Sequence, residues 1–324
     1  MGRMIDGRWH AGKVTDDAKG GSFKRQDAGF RDWVTADGGP GPDGQQGWPA
    51  AAGRYHLYVS YACPWAHRTL IVRALKGLEE AIGVSVVDPL MLEDGWTFHT
   101  ARGGTGDPLH DVEYLWELYA RARPDYTGKV TVPVLWDKER EAIVSNESSE
   151  IIRMLTGAWD DAGATPGDFY PPALRADIDT VNAEIYDRVN NGVYKAGFAT
   201  TQDAYEAAVG PLFATLDTLE KRLATRDWLV GNAMTEADIR LFTTLARFDP
   251  VYVGHFKCNI RRIADYPVLE AYLERMLADP AIAATVHLDH IKTHYYGSHR
   301  DLNPGGIVPV GPALPWAGLV RNGE

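Results

Sequence analysis

The chain is poor in cysteine: Cys63 and Cys258 are the two among 324 residues. Two are too few for a disulfide framework, and too few for a cysteine-based zinc site. In a reducing compartment each is expected to be a reduced thiol. Long apolar runs are also missing. No stretch approaches the about 18 residues that mark a transmembrane helix, so membrane is not an expected partner. Residues 1–20 are polar and mixed in charge and lack the apolar core of a secretory signal, which makes a cytoplasmic location the default expectation. Basic blocks are scarce, none longer than a pair such as Arg261-Arg262, and the formal net charge is −11. Binding nucleic-acid phosphates needs a concentrated basic surface, so nucleic acid is not an expected partner either. The acidic balance speaks for solubility. No internal repeat is present.

What is there suits an ordinary globular protein, with 45% hydrophobic and 24% charged residues. The length suggests about two domains. Residues 1–50 read as an N-terminal extension with little regular structure, because Gly38-Gly39-Pro40-Gly41-Pro42, Gly44 and Gly47 crowd together. Phe23, Phe30, Trp33 and Trp48 imply that this extension packs over the body.

Residues 51–157 show a different pattern. Tyr55-His56-Leu57-Tyr58-Val59-Ser60 reads as a strand. A helix follows from Pro64, with Leu70, Ile71, Ala74, Leu75 and Leu78 at helical spacing and Gly83 as its breaker. Val84-Ser85-Val86-Val87 reads as a second strand, parallel to the first through a right-handed crossover. Residues 112–122 read as a helix, and residues 130–136 and 142–144 as a hairpin with Pro133 at the start of its first strand. Ser148 opens another helix. Strand, helix, strand, helix, hairpin, helix is the order of a thioredoxin-like domain. Over residues 170–324 the strands stop and amphipathic helices take over, giving an all-helical second domain. Thr235-Glu236-Ala237-Asp238 is an N-cap signal, residues 266–277 and 281–291 read as helices, and the Gly- and Pro-rich tail from Asn303 reads as irregular.

Cys63 stands between the first strand and its helix, with Pro64 as first helical residue. A thiol there faces unpaired backbone N–H groups and the positive end of the helix dipole. Both favour the thiolate, which is the nucleophile; such settings lower a cysteine pKa from about 8.5 to roughly 3.5–7.5. His67 and Arg68 lie on the same helix and add positive charge. Residue 66 is alanine, so no second thiol completes a C-x-x-C pair. A mixed disulfide on Cys63 therefore has to be resolved by an outside thiol. Cys258 has no comparable setting and reads as structural.

Cys63-Pro64-Trp65-Ala66-His67-Arg68, Val132-Pro133, Glu147-Ser148 and a helical second half together resemble a cytosolic glutathione transferase. Gly21-Ser22-Phe23-Lys24-Arg25, Asp94-Gly95-Trp96, His294-Tyr295-Tyr296 and the run from Asn303 to Pro309 extend the resemblance to the xi class, the glutathionyl-hydroquinone reductases. The resemblance covers nearly the whole chain. It implies a thioredoxin-like N-terminal domain followed by an all-helical C-terminal glutathione-transferase domain, glutathione as co-substrate, an aromatic glutathione conjugate as the small-molecule partner, and a homodimer. It implies a cis bond at Val132-Pro133, whose backbone pairs with the cysteinyl part of glutathione. Glu147 and Ser148 are suited to its γ-glutamyl end, and Trp96 and Lys129 are the remaining contacts. By the same resemblance Tyr194 gives or takes a proton at the aromatic substrate, while Tyr252 and Tyr295 lie near the sulfur and favour its thiolate. Tyr296, beside Tyr295, leaves that register open by one residue. The implied reaction strips glutathione from the ring through a Cys63–glutathione disulfide.

Other readings compete. An omega-like thiol transferase or dehydroascorbate reductase shares the nucleophile but needs no aromatic thioether. His287, His290, His294 and His299 have a spacing that can bind metal, though no partner motif accompanies them, and no metal is expected. A non-enzymatic interaction module on the same fold has no need of Cys63 or of Glu147-Ser148.

Overall fold

The computed structural model describes residues 2–13, 16 and 18–320. Met1, Val14, Thr15 and Asp17 of the expected extension, and residues 321–324 of the expected irregular tail, lie outside the described residues. The chain divides into two compact units: Met1–Lys13 with Gln26–Asp168, and Val14–Arg25 with Phe169–Glu324.

The first 50 residues correct the expectation of little regular structure. β1 (Arg3–Ile5) and β2 (Arg8–His10) form a hairpin, β3 (Ala18–Lys19) and β4 (Ser22–Phe23) a second, and β5 (Trp33–Thr35) pairs in parallel with β6 (Gly47–Pro49). The turn of the first hairpin is Asp6-Gly7, both at positive φ, the dipeptide that a two-residue hairpin turn favours. Phe23, Phe30, Trp33 and Trp48 are buried, as expected of a packed extension.

In the first unit β7 (Tyr55–Val59) is buried at every position, as its aromatic and β-branched run demands. α1 (Pro64–Leu75), β8 (Gly83–Val86), α2 (Leu115–Ala122), β9 (Val134–Asp137), β10 (Ala142–Ser145) and α3 (Ser148–Gly157) follow. α1 ends earlier than expected. Gly77 takes a left-handed φ of 61° just after the cap at Lys76, so Leu78 is buried from a turn and Gly83 opens β8. The sheet order is β10-β9-β7-β8, with β8 parallel to β7, β9 antiparallel to β7 and β10 antiparallel to β9. The ends of β7, β8 and β10 and the start of β9 therefore meet at one end of the sheet. This is the thioredoxin-like arrangement, and it decides where the site residues fall.

The second unit is helical apart from the β3–β4 hairpin: α4 (Arg175–Ile185), α5 (Gly192–Gly197), α6 (Gln202–Leu223), α7 (Glu236–Arg247), α8 (Pro267–Leu277), α9 (Pro280–Ala283) and α10 (Leu288–Ser298). Thr235 caps α7 as its sequence predicts. Its hydroxyl accepts from the Ala237 N–H at 3.3 Å, while Asp238 accepts from Thr235 N at 2.8 Å and from the Tyr272 hydroxyl at 2.9 Å. The single helix expected over residues 281–291 is two. Thr285 closes α9 by donating to Ile282 O from both its N–H (3.0 Å) and its hydroxyl (2.6 Å), and α10 starts only at Leu288. Wide five-residue turns, Tyr186–Asn190 and Phe248–Tyr252, extend the ends of α4 and α7. From Asn303 to Val320 the chain is irregular except for a short turn at Pro315–Leu319. Among the described residues no helix is long and apolar enough to cross a membrane.

Candidate active site

Cys63 occupies the N-cap of α1, in extended conformation with Pro64 at the first helical position. Its side chain makes no capping hydrogen bond to the first turn, contrary to the simplest picture of a thiol at a helix start. As a thiol it donates to Val132 O at 3.6 Å, and it is partly accessible. The dipole still acts on the sulfur, because that effect depends on position rather than on a bond. His67 and Arg68 are buried, with the Arg68 guanidinium 4.5 Å above the Trp65 ring.

The sheet brings the partner segments to the same end. Tyr58 pairs with Val134, which sets Val132 and Pro133 beside the chain leaving β7. The Val132–Pro133 bond is cis. Ser145, last residue of β10, pairs with Leu135, so Glu147 and Ser148 emerge at that end too. Here the cap is Glu147 rather than Ser148: the Glu147 carboxylate accepts from Ser149 N at 3.0 Å and from the Ser149 hydroxyl at 2.8 Å. Ser148 is the first helical residue and is buried. A carboxylate and a helix N-terminus side by side offer complementary groups to an ammonium and a carboxylate of one small molecule. Trp96 follows β8 in a loop tied to the sheet by Asp88 N donating to Thr97 O at 2.8 Å, and Lys129 stands in the segment before β9.

The sequence reading missed the groups that hold these segments. Asn146 donates to the Tyr119 hydroxyl at 3.0 Å and to Thr131 Oγ1 at 3.2 Å, while its carbonyl accepts from Phe30 N at 3.1 Å. Tyr119 in turn donates to Thr131 O at 2.8 Å. These bonds fix the residue before Val132 against the residue before Glu147. The first hairpin braces the other two loops. The Trp9 indole donates to Glu93 O at 2.9 Å and lies so near Gly95 that a Cβ there would come within 2.8 Å of the ring. Met4 exchanges backbone bonds with Gly128 at 2.8 and 3.0 Å, beside Lys129.

In the second unit the three expected tyrosines converge. Tyr194 on α5, Tyr252 at the end of the turn after α7 and Tyr295 on α10 are all buried. The Tyr295 hydroxyl lies 2.5 Å from that of Tyr194 and 3.0 Å from that of Tyr252. Burial, and then the neighbouring Tyr194, holds the Tyr252 and Tyr295 phenols well above their ordinary value, while Arg247 pulls the other way. They are neutral hydrogen-bonding groups at physiological pH. The one-residue ambiguity resolves for this cluster: Tyr296 points elsewhere, donating to Pro250 O at 3.3 Å and resting on the His255 ring. The wide turns that precede Tyr194 and contain Tyr252 are of a kind frequent at functional sites, but nothing in the sequence marked them.

Cys258 lies in an irregular stretch rather than a helix, is completely buried, and has its thiol pushed far up by that burial. Such burial fits the structural reading of this thiol. The histidine series divides into two pairs, with ring centroids 6.0 Å apart for His287 and His290 and 5.4 Å apart for His294 and His299. His299 also meets His255, Nδ1 to Nε2 at 3.1 Å, His294 Nδ1 lies 3.4 Å from the Ser298 hydroxyl, and His287 occupies the N-cap position of α10. Among the described residues no group of three or more His, Cys, Asp or Glu side chains is placed to hold a metal ion.

Comparison with known proteins adds to this geometry. The family model described as "Glutathione S-transferase, N-terminal domain" matches residues 62–157, and that of the C-terminal domain matches residues 202–275. The chain is 58% identical over 313 residues to glutathionyl-hydroquinone reductase YqjG of Escherichia coli, covering 96% of this chain and 95% of that one. It is 54% identical to glutathionyl-hydroquinone reductase PcpF of Sphingobium chlorophenolicum, covering 98% and 99%. The glutathione-bound structure of the Escherichia coli protein superimposes with a TM-score of 0.89 at 55% identity, covering 99% of this chain and 98% of that chain.

Proposed function

Because the chain belongs to the glutathione S-transferase family, among its xi-class glutathionyl-hydroquinone reductases, we propose that it reduces glutathionyl-hydroquinones to hydroquinones through a Cys63–glutathione disulfide. The observation that carries this reading is the position of Cys63: a partly accessible thiol at the positive end of a twelve-residue helix, beside the cis Val132–Pro133 bond. Ala66 stands where a resolving thiol would be, and Cys258 is sealed in the core.

The reaction has two halves. The Cys63 thiolate attacks the glutathione sulfur of the aryl thioether, forming the S–S bond. The sulfur–carbon bond breaks with its electron pair going to the ring carbon, which takes a proton, and hydroquinone leaves. A second glutathione, as thiolate, then attacks the mixed disulfide, releasing oxidised glutathione and restoring the Cys63 thiolate. In this proposal Tyr194 donates the proton to the ring carbon, and the hydroxyls of Tyr252 and Tyr295 support the thiolate and the donor. Glutathione is held by the Val132 backbone at Pro133, by Glu147 and Ser148 at its γ-glutamyl end, and by Trp96 and Lys129. We also propose a cytoplasmic homodimer, and domains over residues 51–157 and 170–324 with residues 1–50 as an extension.

Steady-state kinetics test the reading. Quinol and oxidised glutathione should appear in equal amounts, with parallel double-reciprocal plots, and Cys63→Ala should abolish both. Turnover surviving that substitution contradicts the mechanism. Native mass at working concentration tests the dimer, since a monomer would sink that part.

A further inference from the structure

The motif Gly21-Ser22-Phe23-Lys24-Arg25 belongs to the extension, yet the structure groups it with the helical unit. It is locked there at several points. Thr200 N donates to Gly21 O at 3.0 Å, and Gly21 has a φ of +83°, with Thr201 where a Cβ would go. The Phe23 ring packs edge-on against Phe198 at 5.3 Å and tilted toward Tyr194 at 6.4 Å. Arg25 completes the set. Its Nε donates to Asn191 Oδ1 at 2.9 Å, and its guanidinium lies 4.8 Å from the Tyr194 ring centroid. Asn191 immediately precedes α5, the helix that carries Tyr194. One arginine therefore ties the start of that helix to the face of that ring.

From this geometry we infer that Arg25 is the positioning residue of Tyr194: its guanidinium fixes the ring and favours negative charge on the phenol as the proton leaves. The inference rests on the reading of Tyr194 as proton donor. A cation over a tyrosine face is held by the ring quadrupole, and a fixed positive charge stabilises a developing phenolate. The anchor at Asn191 gives the fork one orientation, which a lysine cannot reproduce with its single ammonium. Arg25 also lines a cavity of about 460 Å³ together with Lys24, Tyr186 and Lys195, so a small cation has room to reach its place. Lys195 is the lesser candidate for the same role, because its ammonium is already paired with Asp187 at 2.5 Å.

The test separates the two halves of the reaction. Single-turnover quinol release from a glutathionyl-hydroquinone, without added glutathione, needs ring protonation; reduction of the preformed Cys63–glutathione disulfide by glutathione does not. Arg25→Met should slow quinol release roughly 10-fold, the worth of a partly desolvated cation–π contact, and leave disulfide reduction at the wild-type rate. Arg25→Lys should fall between. Millimolar methylguanidinium should restore part of the rate to Arg25→Ala, and the alkaline limb of quinol release should move to higher pH in Arg25→Met but not in Arg25→Lys. Equal slowing of both halves, or unchanged quinol release in Arg25→Met, overturns the inference. Tyr194→Phe distinguishes the two levels. If it releases quinol normally, the proton-donor reading falls and the inference with it; if it is slow while Arg25→Met is normal, the inference alone falls.

Discussion

Tyr295 is the hub of the hydroxyl cluster, so Tyr295→Phe isolates what the cluster contributes. The substitution keeps the ring, which is 1% exposed, and deletes one oxygen that lies 2.5 Å from the Tyr194 hydroxyl and 3.0 Å from the Tyr252 hydroxyl. Each lost bond is worth about 1 kcal/mol net, and the Tyr194 and Tyr252 hydroxyls keep each other as partners. The phenylalanine edge regains part of this by being apolar, so a loss of about 1–2 kcal/mol of stability is expected. The urea midpoint should fall while the slope of the transition stays constant, since the same surface is exposed on unfolding. Quinol release should slow by about 10-fold, the equivalent of one hydrogen bond of about 1.4 kcal/mol removed from the donor. Tyr296→Phe is the internal control. Its hydroxyl meets backbone groups only, a long bond of 3.3 Å to Pro250 O and one at His255, and touches no tyrosine of the cluster, so it should stay within about 1 kcal/mol and keep its rate. A normal Tyr295→Phe enzyme, or equal losses in the two variants, would refute the reasoning.

Two further perturbations follow from the first unit. Asn146→Ala removes bonds to the Tyr119 hydroxyl, Thr131 Oγ1 and Phe30 N; it should cost about 2–3 kcal/mol and weaken glutathione binding by calorimetry about 10-fold, whereas lost stability with unchanged binding would show that the network holds only the fold. Acid should destabilise the chain. Burial pushes His56 and His255 down to about 4 in the folded state, against about 6.5 when unfolded, so between those values the unfolded chain binds more protons. Stability is then complete above about pH 6.5 and declines toward pH 4, by up to about 1.4 kcal/mol per pH unit for each histidine. Urea midpoints at several pH values check this, and a midpoint that rises on acidification contradicts it.

The parts legible in the sequence are those encoded locally. Pro64 after a buried strand announces the start of α1, and with it the exceptional position of Cys63. Thr235 and Asp238 announce α7. The strands of the extension escape notice because they are two or three residues long and pair with partners that only folding supplies. The end of α1 is hidden in the sequence because Leu78 is as buried beyond the helix as it would be within it, so periodicity continues past the true stop at Gly77. Asn146 looks like any polar residue between a strand and a helix until Tyr119 and Thr131 close around it. The three tyrosines are separated by 58 and 43 residues and share no spacing rule, so the resemblance, and no pattern within the chain, pointed to them. Arg25 stands in a motif whose sequence gives it no role of its own, because its partner Asn191 is 166 positions away.

The account depends most on glutathione passing through a covalent bond to one sulfur. Intact-mass spectrometry after mixing the protein with a glutathionyl-hydroquinone, in the absence of added glutathione, reads that step directly. The expected result is one glutathione adduct per chain, located at Cys63 by peptide mapping, with one equivalent of quinol released and the adduct lost on adding glutathione. Quinol release without an adduct, or an adduct at Cys258, would contradict it.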